Sequence, residues 1–162
     1  MTTRTLLLLL TSDAEFERTA CASADLAGYD LVIGRNPSDG ARLFARYFDH
    51  LDAVVVDLDI CKHGSAWLGA LTSLSRKIPA LAVSRLDPRL LKPLALRNGA
   101  DHWASKPITA DELTAALQTV CPSAPKEKTT RSRNSPVDLR PPAVKQKALH
   151  PKSRGCPTPK PT

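Results

Sequence analysis

Two acidic residues, Asp57 and Asp59, follow a short apolar run near the middle of the chain. Residues 54–56 are all valine, and an unbroken β-branched run is typical of a strand that is buried on both faces of a parallel sheet. In an open α/β sheet, ligands and reacting groups lie just beyond the carboxyl ends of the strands. Asp57 is therefore predicted to be a nucleophile or a ligand. The alternative is an acid that only ends the strand, because Asp is common in turns.

Two other polar residues end strand-like runs farther along the chain. Ser84 follows the run at 79–83, and Lys106 follows the short run at 101–105. Because the carboxyl ends of parallel strands meet at one edge of a sheet, we expect the side chains of Asp57, Ser84 and Lys106 to converge there.

Five such runs alternate with five segments of helical spacing. This order predicts a doubly wound, parallel α/β sandwich of three layers. Capping signals mark the expected helix starts, among them Asp13, Asn36, Asp87 and Thr109. The predicted strands cover 6–10, 30–33, 54–57, 79–84 and 101–105. The predicted helices cover about 14–27, 40–48, 65–76, 88–98 and 110–120.

Two of these helices carry more specific expectations. In the third, four apolar residues at steps of three and four predict a single buried face: Trp67, Leu68, Leu71 and Leu74. In the fourth, Pro93 should kink or shorten the helix, because proline lacks the backbone N–H that an internal turn needs.

Charge and proline content divide the chain near residue 120. The stretch 121–162 holds nine of the fourteen prolines, ten Lys or Arg residues and two acids, so its net charge is +8, whereas that of residues 1–120 is −1. The stretch has no long apolar run and cannot bury enough surface to offset its ordering entropy. We therefore predict one folded domain over 1–120 and a disordered basic tail over 121–162.

The four cysteines lie far apart and form no Cys-x-x-Cys pair. This spacing indicates neither a disulfide framework nor a zinc site and favours a reduced, cytoplasmic setting. No segment approaches the ~20 apolar residues that a membrane-spanning helix requires.

The order and spacing of the polar residues resemble the receiver domain of bacterial response regulators. Asp57 corresponds to the aspartate that accepts a phosphoryl group in that family, and Ser84 to the hydroxyl that contacts the phosphoryl group. Trp103 corresponds to the aromatic residue whose rotamer is coupled to phosphorylation. Lys106 and Pro107 match the family's Lys-Pro pair. The resemblance covers residues 4–120 and implies a parallel sheet of order 2-1-3-4-5.

One departure concerns the cofactor that the resemblance implies. The family holds Mg²⁺ with a pair of acids after the first strand, and here Thr11 and Ser12 stand at those positions. Mg²⁺ prefers carboxylate oxygens and water, so we expect it to bind poorly. The candidate metal ligands that remain are Asp13, Asp57 and Asp59.

Two kinds of receiver therefore stay open. One is a pseudo-receiver that does not depend on phosphorylation, in which Asp57 pairs with Lys106 and Asp59 is a solvated acid. The other is phosphorylated on Asp57. In both, the resemblance implies a non-enzymatic signalling protein of a two-component phosphorelay. Its expected partners are a histidine kinase, another two-component signalling protein or a second copy, bound through the fourth helix, fifth strand and fifth helix.

Two other classes of protein compete with the receiver interpretation. Asp57 and Asp59 also resemble the first motif of haloacid-dehalogenase-type phosphatases, where they would be nucleophile and general acid, but no downstream acidic pair for Mg²⁺ follows. The basic tail at 121–162 suggests a nucleic-acid-associated protein, since its cations could bind phosphates or another anionic surface weakly and without sequence preference. The tail has no Phe, Trp or Tyr for base stacking.

Overall fold

The computed structural model describes residues 4–75 and 77–122. Residues 123–162, nearly all of the predicted basic tail, lie outside the described residues, so its disorder and its binding stay predictions. Five strands are present: β1 (Leu6–Leu10), β2 (Asp30–Gly34), β3 (Ala53–Asp57), β4 (Ala80–Ser84) and β5 (His102–Ser105). Five α-helices alternate with them: α1 (Ala14–Ala27), α2 (Pro37–Tyr47), α3 (Gly64–Leu74), α4 (Pro88–Arg97) and α5 (Ala110–Val120). A short 3₁₀ helix, Leu58–Ile60, follows β3.

The strands form one parallel sheet of order β2-β1-β3-β4-β5. The predicted doubly wound sandwich and strand order are therefore confirmed. In this order β1, β3 and β4 are interior strands, and each residue of β3 and β4 is buried. Their unbroken apolar runs reflect this position, because helices cover both faces of the sheet.

Alternating strand residues feed two hydrophobic clusters on opposite faces of the sheet. One cluster contains Leu7, Leu9 and Val55 together with side chains of α1 and α5. The other contains Leu8 and Val56 together with side chains of α2, α3 and α4. The alternation follows from the pleat, which sends successive side chains to opposite faces. Both clusters hold the strands in place, so the polar residues at their carboxyl ends have a rigid support.

The predicted capping residues do start the helices, although α2 begins at Pro37 and not near residue 40, because proline is well suited to the first helical position. The Asp13 side chain accepts hydrogen bonds from the first turn of α1, and Asn36 and Asp87 do the same for α2 and α4. Thr109 and Glu112 form a reciprocal capping box at the start of α5. Each cap fixes where the loop after a strand turns into a helix, and these loops surround the carboxyl edge of the sheet.

Two expectations about the helices are wrong in part. α3 ends at Leu74 rather than near residue 76, and the Leu74 side chain is exposed instead of completing the buried face. Leu68 and Leu71 are buried and Trp67 is half-buried against the same cluster. α4 is not shortened at Pro93, which is exposed, and runs on to Arg97, while the kink at Pro93 stays a prediction. None of the helices in the described part of the chain is long and apolar enough to cross a membrane.

Candidate functional site: an acid centre at the carboxyl edge of the sheet

The sheet register brings the predicted site residues together. Asp57 lies beside Val83, and Ser84 lies beside Ser105 on the next strand. The backbone N–H of Lys106 donates to the carbonyl of Ser84 at 2.8 Å, which continues this register past the end of β5. The three side chains expected at one edge therefore do lie at one edge.

The Asp57 carboxylate is almost fully buried, with 1% of its side chain exposed. The Thr11 hydroxyl donates to its Oδ2 atom at 2.6 Å, and the backbone N–H of Asp59 donates to its Oδ1 atom at 3.0 Å. The Lys106 ammonium lies 2.9 Å from both oxygens. Asp57 thus has both a paired charge and hydrogen-bond donors, which a buried carboxylate requires.

Lys106 joins three carboxylates. Its Nζ atom lies 2.9 Å from Asp57, 3.1 Å from Asp59 and 3.4 Å from Asp13. The ammonium also lies 5.3 Å from the centre of the Phe16 ring. Burial lowers the pKa of Lys106, but hydrogen bonds and charge from Asp57 and Asp59 outweigh it and raise the pKa above its ordinary value. Lys106 therefore stays protonated as the central cation of the site.

Asp59 is exposed, as the pseudo-receiver interpretation expects, but it is more than a solvated acid because its carboxylate has partners within the chain. Its carboxylate accepts a hydrogen bond from the Ser84 hydroxyl at 2.6 Å and one from the Arg85 backbone N–H at 2.9 Å. Burial raises the pKa of Asp59, but these donors and Lys106 outweigh it and hold the pKa below its ordinary value. Ser84 is thus engaged with Asp59, a contact that spacing alone does not reveal.

Asp13 combines its predicted cap with a second role. Its Oδ1 atom accepts the backbone N–H groups of Glu15 and Phe16, while its Oδ2 atom contacts the Arg85 guanidinium at 2.6 Å and Lys106 at 3.4 Å. Burial raises the pKa of Asp13, but the Phe16 amide and Lys106 lower it below its ordinary value. We call Asp13, Asp57 and Asp59 the acid centre.

The residues present do not fit the Mg²⁺ ion that the fold family implies. All six oxygens of the acid centre already accept a hydrogen bond or an ion pair. Thr11 is fully buried and its hydroxyl donates a hydrogen bond to Asp57, whereas Ser12 is exposed. Within residues 4–75 and 77–122, no group of three or more His, Cys, Asp or Glu side chains is arranged to hold a metal.

The structure also shows a residue that the sequence reasoning overlooked. Arg85 directly follows Ser84 and contacts Asp13, which lies 72 residues away in the chain. Its position directly after the end of a predicted strand is the signal that could identify it, because residues there lie at the carboxyl edge of the sheet. Trp103, the counterpart of the coupled aromatic, is half-buried and packs against the cluster that α2, α3 and α4 cover.

The geometry gives no support to the phosphatase interpretation. A general acid works best with a pKa near the working pH, and the donors around Asp59 hold its pKa below its ordinary value. Asp59 is also an acceptor from Ser84 and Arg85, so its oxygens face donors rather than a leaving group.

No protein-family model matches the chain, and no curated protein matches it. Solved structures do match. A response regulator from Thermotoga maritima has a TM-score of 0.66 at 15% identity, over 75% of this chain and 100% of that one. A response regulator receiver domain protein from Clostridium thermocellum has a TM-score of 0.65 at 18% identity, over 73% of this chain and 94% of that one. The CheX–CheY–BeF₃–Mg²⁺ complex from Borrelia burgdorferi matches with a TM-score of 0.65 at 15% identity, over 72% of this chain and 88% of that one.

These matches establish the fold. The described part of the chain is a five-stranded, flavodoxin-like sandwich with the fold of response regulator receiver domains. The fold alone does not carry a function, because one fold can support many sites.

Proposed function

We propose that this chain is a receiver-like signalling module that acts through protein–protein contacts and does not depend on phosphorylation of Asp57. One observation carries the proposal: every oxygen of the acid centre is already bound by a donor of the chain itself. A receiver that accepts a phosphoryl group needs a carboxylate free to attack and cations free to stabilise the transition state. Here Lys106 and Thr11 are both engaged with Asp57.

The partners we propose are two-component signalling proteins, a histidine kinase among them, or a second copy of the chain. The matched Borrelia structure is a complex of CheY with CheX, so a protein of this fold meets another protein there. By the same proposal the chain works in the cytoplasm and is not an enzyme.

The contact surface we propose is formed by α4, β5 and α5. α4 exposes Leu90 and Leu96, and Leu86 just before it is also exposed. The same helix carries Arg89, Lys92 and Arg97 and no acid. Exposed apolar side chains rimmed by charge are typical of protein interaction sites.

Labelling with a small phosphodonor tests the proposal. We expect that acetyl phosphate with Mg²⁺ adds little phosphate to the full chain, as read by intact mass, because Asp57 is held by Lys106 and Thr11. Asp57→Asn is the control for labelling elsewhere. Stoichiometric, hydroxylamine-labile labelling that Asp57→Asn abolishes would contradict the proposal.

A double substitution tests why Mg²⁺ is excluded. Thr11→Asp with Ser12→Asp restores the pair of acids, and we expect tighter Mg²⁺ binding, measured by titration of Trp fluorescence. Because Thr11 is fully buried against Asp57, a new carboxylate there should destabilise the metal-free protein, and Mg²⁺ should restore part of the loss. Ser12→Asp alone is the control, since Ser12 is exposed. If the double variant gains no Mg²⁺ affinity, Thr11 and Ser12 do not stand at the acid positions.

A further inference from the structure

We propose that Arg85 is a second resident counter-charge which, together with Lys106, takes the place of a divalent metal at the acid centre and ties the loop after β4 to the start of α1. The inference rests on the proposed function, because it explains how a receiver-like site is neutralised without Mg²⁺. It assigns a positioning role to Arg85, a residue to which the resemblance gives none.

The Asp13 carboxylate lies between the two cations of the site. Its Oδ2 atom contacts two cations at once: the Arg85 guanidinium at 2.6 Å and the Lys106 ammonium at 3.4 Å. The Asp13 side chain is only 18% exposed, whereas that of Arg85 is 67% exposed. Arg85 therefore reaches inward from the surface and covers the outer oxygen of the acid centre.

Arg85 also changes the net charge of the acid centre. The acid centre has three carboxylates, and Lys106 and Arg85 supply two positive charges, which leaves one net negative charge. Without Arg85 the same group would have a net charge of −2. A divalent cation would then balance it, so Arg85 and a metal ion compete for one electrostatic role.

Arg85 connects two carboxylates of the acid centre. Its backbone N–H donates to Asp59 at 2.9 Å, and its side chain contacts Asp13 at 2.6 Å. Asp59 follows β3 and Asp13 precedes α1, so one residue of the loop after β4 is bound to both. The Leu86 N–H also donates to the Ser84 hydroxyl at 3.2 Å. These bonds hold the start of the loop that leads to α4, the helix on which the proposed contact surface lies.

There is also space for an ion next to the acid centre. A cavity of about 210 Å³ adjoins the acid centre, and Asp13, Arg85 and Lys106 contribute to its lining. Mg²⁺ keeps several of its waters when it binds protein. The cavity provides room for a partly hydrated ion beside Asp13 once the Arg85 side chain is removed.

The test uses the full chain and Mg²⁺ alone as the probe, followed by ¹H–¹⁵N NMR shifts. We expect Arg85→Ala to bind Mg²⁺ on the order of tenfold more tightly than the wild type, with shifts at Asp13 and Asp59. Arg85→Lys retains the positive charge, so it should bind Mg²⁺ nearly as weakly as the wild type does. Arg35→Ala is the matched control, because Arg35 is 68% exposed and contacts Glu17 at 2.7 Å in a comparable ion pair.

A second measurement follows the loop. Hydrogen exchange of the Leu86 amide should accelerate several-fold in Arg85→Ala and stay unchanged in Arg35→Ala. A purely structural role for Arg85 predicts faster exchange but no gain in Mg²⁺ affinity, so the affinity decides between the two. Equal Mg²⁺ affinities for Arg85→Ala and Arg35→Ala would overturn the inference.

The outcome also separates this inference from the proposed function. Stoichiometric labelling of the wild type on Asp57 would overturn the proposed function, whatever Arg85→Ala does. An unlabelled wild type together with an Arg85→Ala variant that gains no Mg²⁺ affinity would overturn only the role of Arg85.

Discussion

The acid centre and the outer face of α4 differ in how far their side chains are buried and paired within the chain. At the acid centre, Asp57 is 1% and Lys106 is 5% exposed, and each carboxylate oxygen has a donor from the chain. On and just before α4, Leu86, Leu90 and Leu96 are 39%, 62% and 48% exposed. The acids are therefore paired within the fold, whereas the exposed leucines belong to the contact surface that we propose.

The largest expected effect follows from removing the central cation. Lys106→Met should lower the free energy of unfolding by about 3–5 kcal/mol, because it leaves the buried Asp57 carboxylate without its paired charge. Urea unfolding followed by circular dichroism measures the change. Arg35→Ala is the control, since an exposed ion pair contributes about 1 kcal/mol or less. A loss for Lys106→Met no larger than that of the control would mean that the acid centre does not stabilise the fold.

The fold could be predicted from the sequence because its signals are local. Unbroken apolar runs marked β1, β3 and β4, and the caps at Asp13 and Thr109 marked where helices begin. Helix ends were predicted less well. Leu74 keeps helical spacing with Leu71, yet it is exposed because α3 ends there and nothing in the described part of the chain covers it.

The site could be predicted only in part. Strand ends identified Asp57, Ser84 and Lys106 as neighbours, since parallel order and register follow from the pattern of runs. A hydrogen bond requires its donor and acceptor to lie within about 3.5 Å. The spacing of residues along the sequence does not determine side-chain positions that closely. The contacts of Ser84 with Asp59 and of Arg85 with Asp13 were therefore missed.

Two adjacent leucines on α4 test whether the outer face of that helix contributes to the stability of the fold. Leu91 is fully buried and Leu90 is 62% exposed. Leu91→Ala should cost about 2–5 kcal/mol through lost packing, whereas Leu90→Ala should stay within about 0.5 kcal/mol. Thermal and urea unfolding measure both. If Leu90→Ala destabilises the isolated chain as much as Leu91→Ala, Leu90 packs within the fold and is not available to a partner.

The smallest expected effect is the pH dependence of the acid centre. The pKa values of Asp13 and Asp59 lie below the ordinary value of 3.8, so their stabilisation is complete above that pH and is lost as the pH falls through the folded values. The pKa of Lys106 lies above its ordinary value of 10.5, so its contribution is complete below that pH and is lost as the pH rises further. Urea unfolding between about pH 2 and 5 should therefore show a fall in the free energy of unfolding that Asp59→Asn makes shallower. Equal slopes for the wild type and Asp59→Asn would show that Asp59 exchanges its contacts for water without cost, and the contrast between the acid centre and α4 would then rest on Asp57 and Lys106 alone.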